Sequence, residues 1–204
     1  MQQSPGTCAD DGSSVKPFPL VLASASPRRK KLMSELKMPF KVLPSGAPEK
    51  RMKGETPFSF VRRLAVEKAE FTARRMGPNP ALVVGADTVV VLNGKIYGKP
   101  RSPRHAARML MELSGKTHRV YTGLAVVRSA GKKRVSAVDV SKVSFRTILF
   151  SEAQKIGRKH LDKSGSYACQ DKSDRLVRKI EGDWQTVVGL PVKLLKKLLK
   201  QAAA

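Results

Sequence analysis

The chain has 204 residues, a length that gives one domain or two small lobes with a core large enough to fold without disulfide or metal staples. Forty Lys plus Arg against 16 Asp plus Glu leave a formal charge of +24, which points to nucleic acid, an anionic surface or a small anionic substrate without choosing among them. Three Tyr and one Trp are few stacking platforms, the basic residues are scattered rather than gathered into an arm, and no run reaches transmembrane length, so nucleic-acid and membrane partners are both argued against.

Residues 1 to 16 are polar, rich in Gly and Ser and without the apolar stretch of a signal peptide, so they read as a flexible tail ahead of a folded part at 17 to 204. Cys8 and Cys169 have no metal-like spacing and lie in different regions, which suggests a reducing compartment and a cytoplasmic protein.

Residues 19 to 23 (PLVLA) read as a short strand running into Ser24-Ala25-Ser26-Pro27-Arg28-Arg29 and a helical pattern with Leu32, Met33 and Leu36. Ser26 suits the N-cap and Pro27 the first helical position. Unpaired N–H groups at a helix start favour an anion, and arginines there oppose the helix dipole unless an anion lies between them. Ser24, Ser26, Arg28 and Arg29 therefore read as a phosphate site, with an ordinary cap and solvated arginines as the alternative.

Residues 40 to 43 read as a second strand and 44 to 54 as a loop carrying Glu49 and Lys50. Thr56-Pro57 starts a longer helix that reaches about Met76 and is closed by Gly77-Pro78. Val61, Leu64, Ala65, Lys68 and Thr72 share one face of it. A lysine on an inward stripe either snorkels out along its methylenes or points into a cleft toward an anion or Glu49, and both readings stay open.

The stretch 81 to 100 is the one around which the rest is organised. Its apolar runs, 82 to 84 and 89 to 92, are β-branched and read as a buried strand, and Asn93-Gly94 is a two-residue hairpin signal. Closure there pairs Leu92 with Lys95 and sets Thr88 opposite Lys99, unless a bulge at Gly85 or Gly98 shifts the register. Asp87 lies within this strand, where burying a carboxylate costs several kcal/mol unless it is paired, hydrogen-bonded or metal-bound. A partner for Asp87 is expected.

Ser102-Pro103 begins a helix with Ala106, Met109, Leu110 and Leu113 inward and Gly115 near its end. Residues 120 to 127 and 135 to 145 read as an antiparallel hairpin turning through 129 to 132, with one phase slip after Val140. Ser151-Glu152-Ala153-Gln154 has the form of a capping box starting a short helix before Leu161. His105, His118 and His160 show no ligand spacing and read as surface or helix-end residues. In the polar loop 162 to 172, Tyr167 and Gln170 are able to contact a base ring or edge, although such a loop is also an ordinary connection. Residues 175 to 180 and 184 to 188 read as strands about a Glu181-Gly182-Asp183 turn. The last helix carries Val192, Leu194, Leu195, Leu198 and Leu199 as core and turns Lys193, Lys196, Lys197 and Lys200 outward.

The segments LASASPRR, GADTVVVLNGKIYGKP, RMLMELSGKTHRVYTGLAVV and IEGDWQTVVGLP, in that order over most of residues 19 to 195, resemble the successive signatures of the Maf family of nucleotide pyrophosphatases. The resemblance implies an α/β fold: an elongated mixed β-sheet flanked by helices with a central cleft between two lobes, similar to inosine triphosphate pyrophosphatases, so that 17 to 204 form a single two-lobed domain. It also implies a hydrolase acting on acid anhydrides. A nucleoside triphosphate gives the monophosphate and pyrophosphate with a divalent metal cation, Mg, Mn or Co, in a homodimer. Carried over by residue, Asp87 is the proton acceptor that activates water, and Glu49 helps Asp87 hold the metal. Ser24, Arg28, Arg29, Lys68 and Lys99 contact the triphosphate, and Thr88 and Gln170 match positions linked to base choice. The set Arg28, Lys99 and Gln170, with GADT where the branch acting on methylated guanosine triphosphate has GSDQ, resembles the branch that prefers dTTP and UTP. Its role would be nucleotide-pool house-cleaning, with modified pyrimidine triphosphates as further substrates.

Two positions depart from the family pattern. The loop after Ser45 reads GAPEK where relatives place two acids around an aliphatic residue, and Ala168-Cys169-Gln170-Asp171 stands where the family has Gly-Ile-Gln-Gly. The chemistry itself calls for cations that neutralise phosphate charge, a bridging metal and a carboxylate that orients water. Whether attack falls on the α- or the γ-phosphorus is decided by the resemblance alone, and the absence of a GxxxxGKS loop argues against an ordinary ATPase. The alternatives are a nucleic-acid-binding module and a non-catalytic nucleotide-binding regulatory protein.

Overall fold

The long β-branched runs pair into a single seven-stranded mixed sheet in the computed structural model, which describes residues 18–77, 80–130, 133–171 and 173–204. The tail read at 1 to 16 lies outside those residues. The elements are β1 (Leu20–Leu22), α1 (Pro27–Ser34), β2 (Phe40–Val42), α2 (Pro57–Arg75), β3 (Leu82–Leu92), β4 (Lys95–Tyr97), α3 (Pro103–Leu113), β5 (Thr117–Arg128), β6 (Arg134–Phe145), α4 (Phe150–Lys159), β7 (Val177–Glu181), α5 (Trp184–Val188) and α6 (Val192–Ala203). A 3₁₀ turn at Ser164–Ser166 precedes β7. The sheet order is β2-β1-β3-β5-β6-β7, and β4 pairs with β3 off that path.

One strand organises the sheet because its two edges are used differently. Strand β5 covers one edge of β3 from Leu82 to Val91. On the other edge β1 pairs in parallel only with 82 to 84, and β4 pairs only with 90 to 92. Between them β3 has an open edge, and Asp87 and Thr88 lie in that gap. The hairpin register is as expected at Leu92 and Lys95, but β4 ends at Tyr97, so Thr88 meets Thr122 of β5 and not Lys99. Gly98 leaves the ladder and accepts instead from the Gly165 amide at 3.1 Å.

The two faces of the sheet are covered by different helices. On one, α1 and α6 pack over Leu20, Leu22, Leu82, Val84, Leu124 and Val126, while α3 and α4 cover Val90, Leu92, Val120, Val143 and Phe145 further along the same strands. On the other, α2 packs over Val83, Ala125, Val89 and Val91. Two glycines let α2 lie directly on the sheet. A Cβ at Gly85 would sit 2.0 Å from the Ala65 carbonyl oxygen, and one at Gly123 would sit 2.2 Å from that of Val61. Gly123 is the cross-strand neighbour of Asp87, so this close approach is what carries Lys68 to the aspartate.

Three further expectations are corrected. Residues 184 to 188 form helix α5, not a strand: Asp183 caps it by accepting the Gln185 amide at 2.8 Å, and Gly189 closes it at φ 113°. So short a β-branched run carries no period that separates helix from strand. The phase slip expected after Val140 is present, and it leaves the pairing with β5 unbroken. Val138 packs on the α2 face and Val143 and Phe145 on the other, because the covered side changes along β6. Helix α4 starts at Phe150, with Glu152 accepting the Leu149 amide at 3.0 Å; Ser151 lies inside the helix, so only half of a capping box forms. His118, read as a surface or helix-end residue, is only 1% exposed and lies on β5.

Candidate active site

All the residues singled out from the sequence as catalytic, substrate-binding or metal-holding line one cavity of about 610 Å³ in the gap of β3: Ser24, Arg28, Arg29, Glu49, Lys68, Asp87, Thr88, Lys99 and Gln170. Successive residues of a strand project to opposite faces, so Asp87 and Thr88 build two different halves of that cavity.

On the α2 face the Lys68 ammonium lies 2.6 Å from Asp87 Oδ1 and 2.7 Å from Glu49 Oε1. Lys68 does not snorkel; it is buried, one turn beyond Leu64 on the inward stripe. Glu49 comes from the loop after β2, which Arg63 of α2 fastens by donating to the Lys50 carbonyl at 3.0 Å and pairing with Glu55 at 2.7 Å. Lys99 stands 3.6 Å from the other Glu49 oxygen. Burial raises the Asp87 carboxyl above the ordinary aspartate value, against the pull of Lys68 and Arg29 and with help from Glu49. Glu49 is also penalised by burial, but the Lys68 hydrogen bond and the charges of Lys68, Lys99 and Arg29 together hold it below the ordinary glutamate value. Two neighbouring carboxylates are thereby driven apart in proton affinity, the arrangement that lets one hold a charge while the other exchanges a proton.

On the opposite face Arg29 is held by three acceptors. Its Nε donates to the Gly189 carbonyl at 2.9 Å, one terminal nitrogen to Ser24 Oγ at 3.3 Å and the other to Thr88 Oγ1 at 3.0 Å. Burial lowers its pKa, with Asp87 opposing, yet a guanidinium stays charged in proteins. Ser26 is the N-cap of α1, accepting the Arg29 amide at 3.5 Å, and its own amide donates to Ser24 Oγ at 3.3 Å. Both the cap and the cation-lined helix start are present.

A family model described as Maf-like protein matches residues 19–202. The chain belongs to the Maf-like family. Among curated relatives, the dTTP/UTP pyrophosphatase of Moorella thermoacetica is 45% identical over 183 residues, spanning 88% of this chain and 93% of its own. The proteins of that name from Pelotomaculum thermopropionicum and Thermotoga maritima are 40% and 43% identical over 89% and 88% of this chain, and 95% and 87% of theirs. Of solved structures, the Staphylococcus aureus Ham1 protein aligns over 90% of this chain and 98% of its own, at 15% identity and a TM-score of 0.49.

The remaining site residues of this Maf-like chain sit around the same cavity. Arg28 is 3.7 Å from Asp162, and Gln170 lines the wall beside Cys169. Asp87 and Glu49 offer hard carboxylate oxygens that already converge on one ammonium, each within 2.7 Å of Lys68 Nζ, so this donor set fits a divalent cation. Among the described residues a second cluster was not foreseen. His160, Asp171 and Asp174 bring ligand atoms within 4.8 Å of one another, and none of the three lines the cavity. Asp174 is also paired with Lys159 at 2.9 Å, and His160 meets it at 2.5 Å, so the cluster ties the end of α4 to the loop behind Gln170. No helix among the described residues is long and apolar enough to cross a membrane.

Sequence reasoning missed the supports of that loop. Ser164 Oγ donates to the Thr88 carbonyl at 3.0 Å, closing part of the open edge of β3. Tyr167 is buried with its hydroxyl 2.9 Å from His118 Nε2, and its ring stands edge-on to those of His118 and Phe145. Burial drops His118 to a pKa of about 4, which keeps it neutral near pH 7. The motif THRVYTG placed His118 and Thr122 on the inward side of a strand two turns of the pleat apart, and that spacing was the available signal.

Proposed function

We propose that the chain is a nucleoside triphosphate pyrophosphatase that hydrolyses dTTP and UTP to the monophosphate and pyrophosphate, with modified pyrimidine triphosphates as further substrates. The observation that carries this reading is Asp87: a buried carboxylate of raised pKa, paired with Lys68 at 2.6 Å in a cleft lined by cations. Relatives that carry the name dTTP/UTP pyrophosphatase support the substrate and the bond cleaved.

In this reading the triphosphate lies across the start of α1, where Ser24 and Arg28 meet it, and extends toward Lys68 and Lys99. These cations neutralise charge that grows on the leaving pyrophosphate. Asp87 orients the attacking water and takes its proton, and its raised pKa makes it a better acceptor than an exposed aspartate. Attack at the α-phosphorus releases pyrophosphate. Lys68 holds Asp87 and Glu49 in register, and Arg29 fixes the start of α1 against β3. A divalent cation, Mg, Mn or Co, held by Glu49 and Asp87 supplies Lewis-acid neutralisation of the phosphate oxygens when bound. Thr88 and Gln170 contact the base. The described segments work as one two-lobed unit in a cytoplasmic homodimer with a house-cleaning role; the family resemblance supports this, and light scattering checks the dimer.

The test is turnover of a panel of nucleoside triphosphates with Mg²⁺ or Mn²⁺, measuring pyrophosphate and orthophosphate separately. Pyrophosphate from dTTP or UTP, lost in Asp87→Asn, is the expected result. Release from no triphosphate, or equal release by the variant, overturns the reading.

A further inference from the structure

A chain of hydrogen bonds runs from the cleft into the sheet, and its direction is fixed by a carbonyl. Thr122 Oγ1 lies 2.8 Å from the Thr186 carbonyl oxygen, which only accepts, so the single Thr122 proton is spent there. Thr88 Oγ1 is 2.9 Å from Thr122 Oγ1 and must therefore donate to it. Arg29 in turn donates to Thr88 Oγ1 at 3.0 Å. Thr122 is 0% exposed, so bulk water does not reach its hydroxyl. The Thr88 hydroxyl is left with no proton and one lone pair for anything that enters the cleft.

The two halves of the cleft suit different parts of a nucleotide. Lys68, Asp87 and Glu49 gather on the α2 face, whereas Thr88 shares its face with Val90, Val120, Tyr167 and Val187, an apolar wall that suits a flat ring. Uracil and thymine carry a donor at N3 between two carbonyls; cytosine carries a bare acceptor there. An acceptor fixed at Thr88 meets the first and opposes the second. Gln170 cannot make this distinction alone, because its amide turns to offer either a donor or an acceptor.

Resting on the pyrimidine triphosphate reading above, we propose that Thr122, which does not line the cleft, sets the preference for uracil and thymine over cytosine by holding the Thr88 hydroxyl as an acceptor. Thr122 is then a positioning residue acting through Thr88. Thr122→Val removes the acceptor and releases the Thr88 proton to turn toward the ligand.

The measurement is kcat/KM for dTTP and dCTP with the wild type, Thr122→Val and Thr122→Ser. The wild type is expected to favour dTTP, Thr122→Val to raise dCTP relative to dTTP by at least about tenfold, and Thr122→Ser, which keeps the hydroxyl, to retain the wild-type ratio. Thr122→Ala removes the same acceptor with less bulk and carries the same expectation, so the test survives if the valine variant does not fold. An unchanged ratio in the folded valine or alanine variant, or equal use of dCTP by the wild type, overturns this proposal alone. A wild type that releases pyrophosphate from no triphosphate overturns the activity reading and this proposal together.

Discussion

The two faces of β3 at adjacent residues are opposite solutions to burying polar groups. Around Asp87 the side chains are charged, two acids share one lysine, and their proton affinities are pushed apart. Around Thr88 the hydroxyl protons of Thr88 and Thr122 each have a partner, and the guanidinium of Arg29 is held by three acceptors. Under the proposed reaction, the difference teaches that reactivity belongs to carboxylates sharing one cation and selectivity to a hydroxyl whose proton is already committed. A group with nothing left to exchange holds its orientation, and a group shared between partners is free to react.

The largest break in that contrast is Lys68→Met. It leaves Asp87 and Glu49 without their shared cation, and kcat is expected to fall by about 10²–10⁴, the usual range for disabling acid–base machinery. Lys68 lowers the Asp87 pKa, so the acidic limb of the pH–rate profile, already above the ordinary aspartate value of 3.8, is expected to move to higher pH. Residual activity with an unmoved limb would remove Lys68 from the argument.

Gly123→Ala strikes the same face from beneath, because its Cβ would lie 2.2 Å from the Val61 carbonyl oxygen. Pushing α2 off the sheet is expected to cost about 3 kcal/mol in urea unfolding and to lower kcat as Lys68 moves away from Asp87. Full activity in a folded variant would show that the close approach is not what places the lysine.

The neutral face is sharpened by pH. His118 has a folded pKa of about 4 against an ordinary value of 6.5, so the folded state binds fewer protons across that window. The stability this provides is fully present above 6.5 and is lost as pH falls toward 4, by about 3 kcal/mol in all. Thermal or urea midpoints from pH 7 to 4 should show a drop that is shallower in His118→Phe.

The smallest expected change is Arg29→Lys, which keeps the charge but loses the fork that reaches Ser24, Thr88 and Gly189 together. A loss of about 1–2 kcal/mol in stability is expected, with a modest fall in turnover. A variant as stable as the wild type would mean that these bonds are replaced by water.

The order of elements, the hairpin at Asn93-Gly94 and the cavity-lining set from Ser24 to Gln170 were legible because each depends on local pattern or on the family's ordered motifs. What stayed hidden depends on neighbours distant in sequence. Thr122 looks like any strand-forming residue until Thr186, 64 positions away, turns its carbonyl toward it. Gly123 carries no local mark of the helix that rests on it. The helix at 184 to 188 was hidden for another reason, since its β-branched residues favour a strand and the caps at Asp183 and Gly189 override them. His160 gained its carboxylates only when the loop behind Gln170 folded back onto α4.

The gap in the sheet is cut into one edge only. Strand β5 remains paired with β3 from Leu82 to Val91, and β6 with β5 from Val127 to Thr117, so the strands beneath the cleft pass it unbroken. Continuous antiparallel pairing of that length makes the floor resist bending across the gap. The loop bearing Glu49 and the loop bearing Gln170 both contribute to the cavity at that gap. Asp87 belongs to that continuous floor, whereas Glu49 and Gln170 reach the cavity from loops.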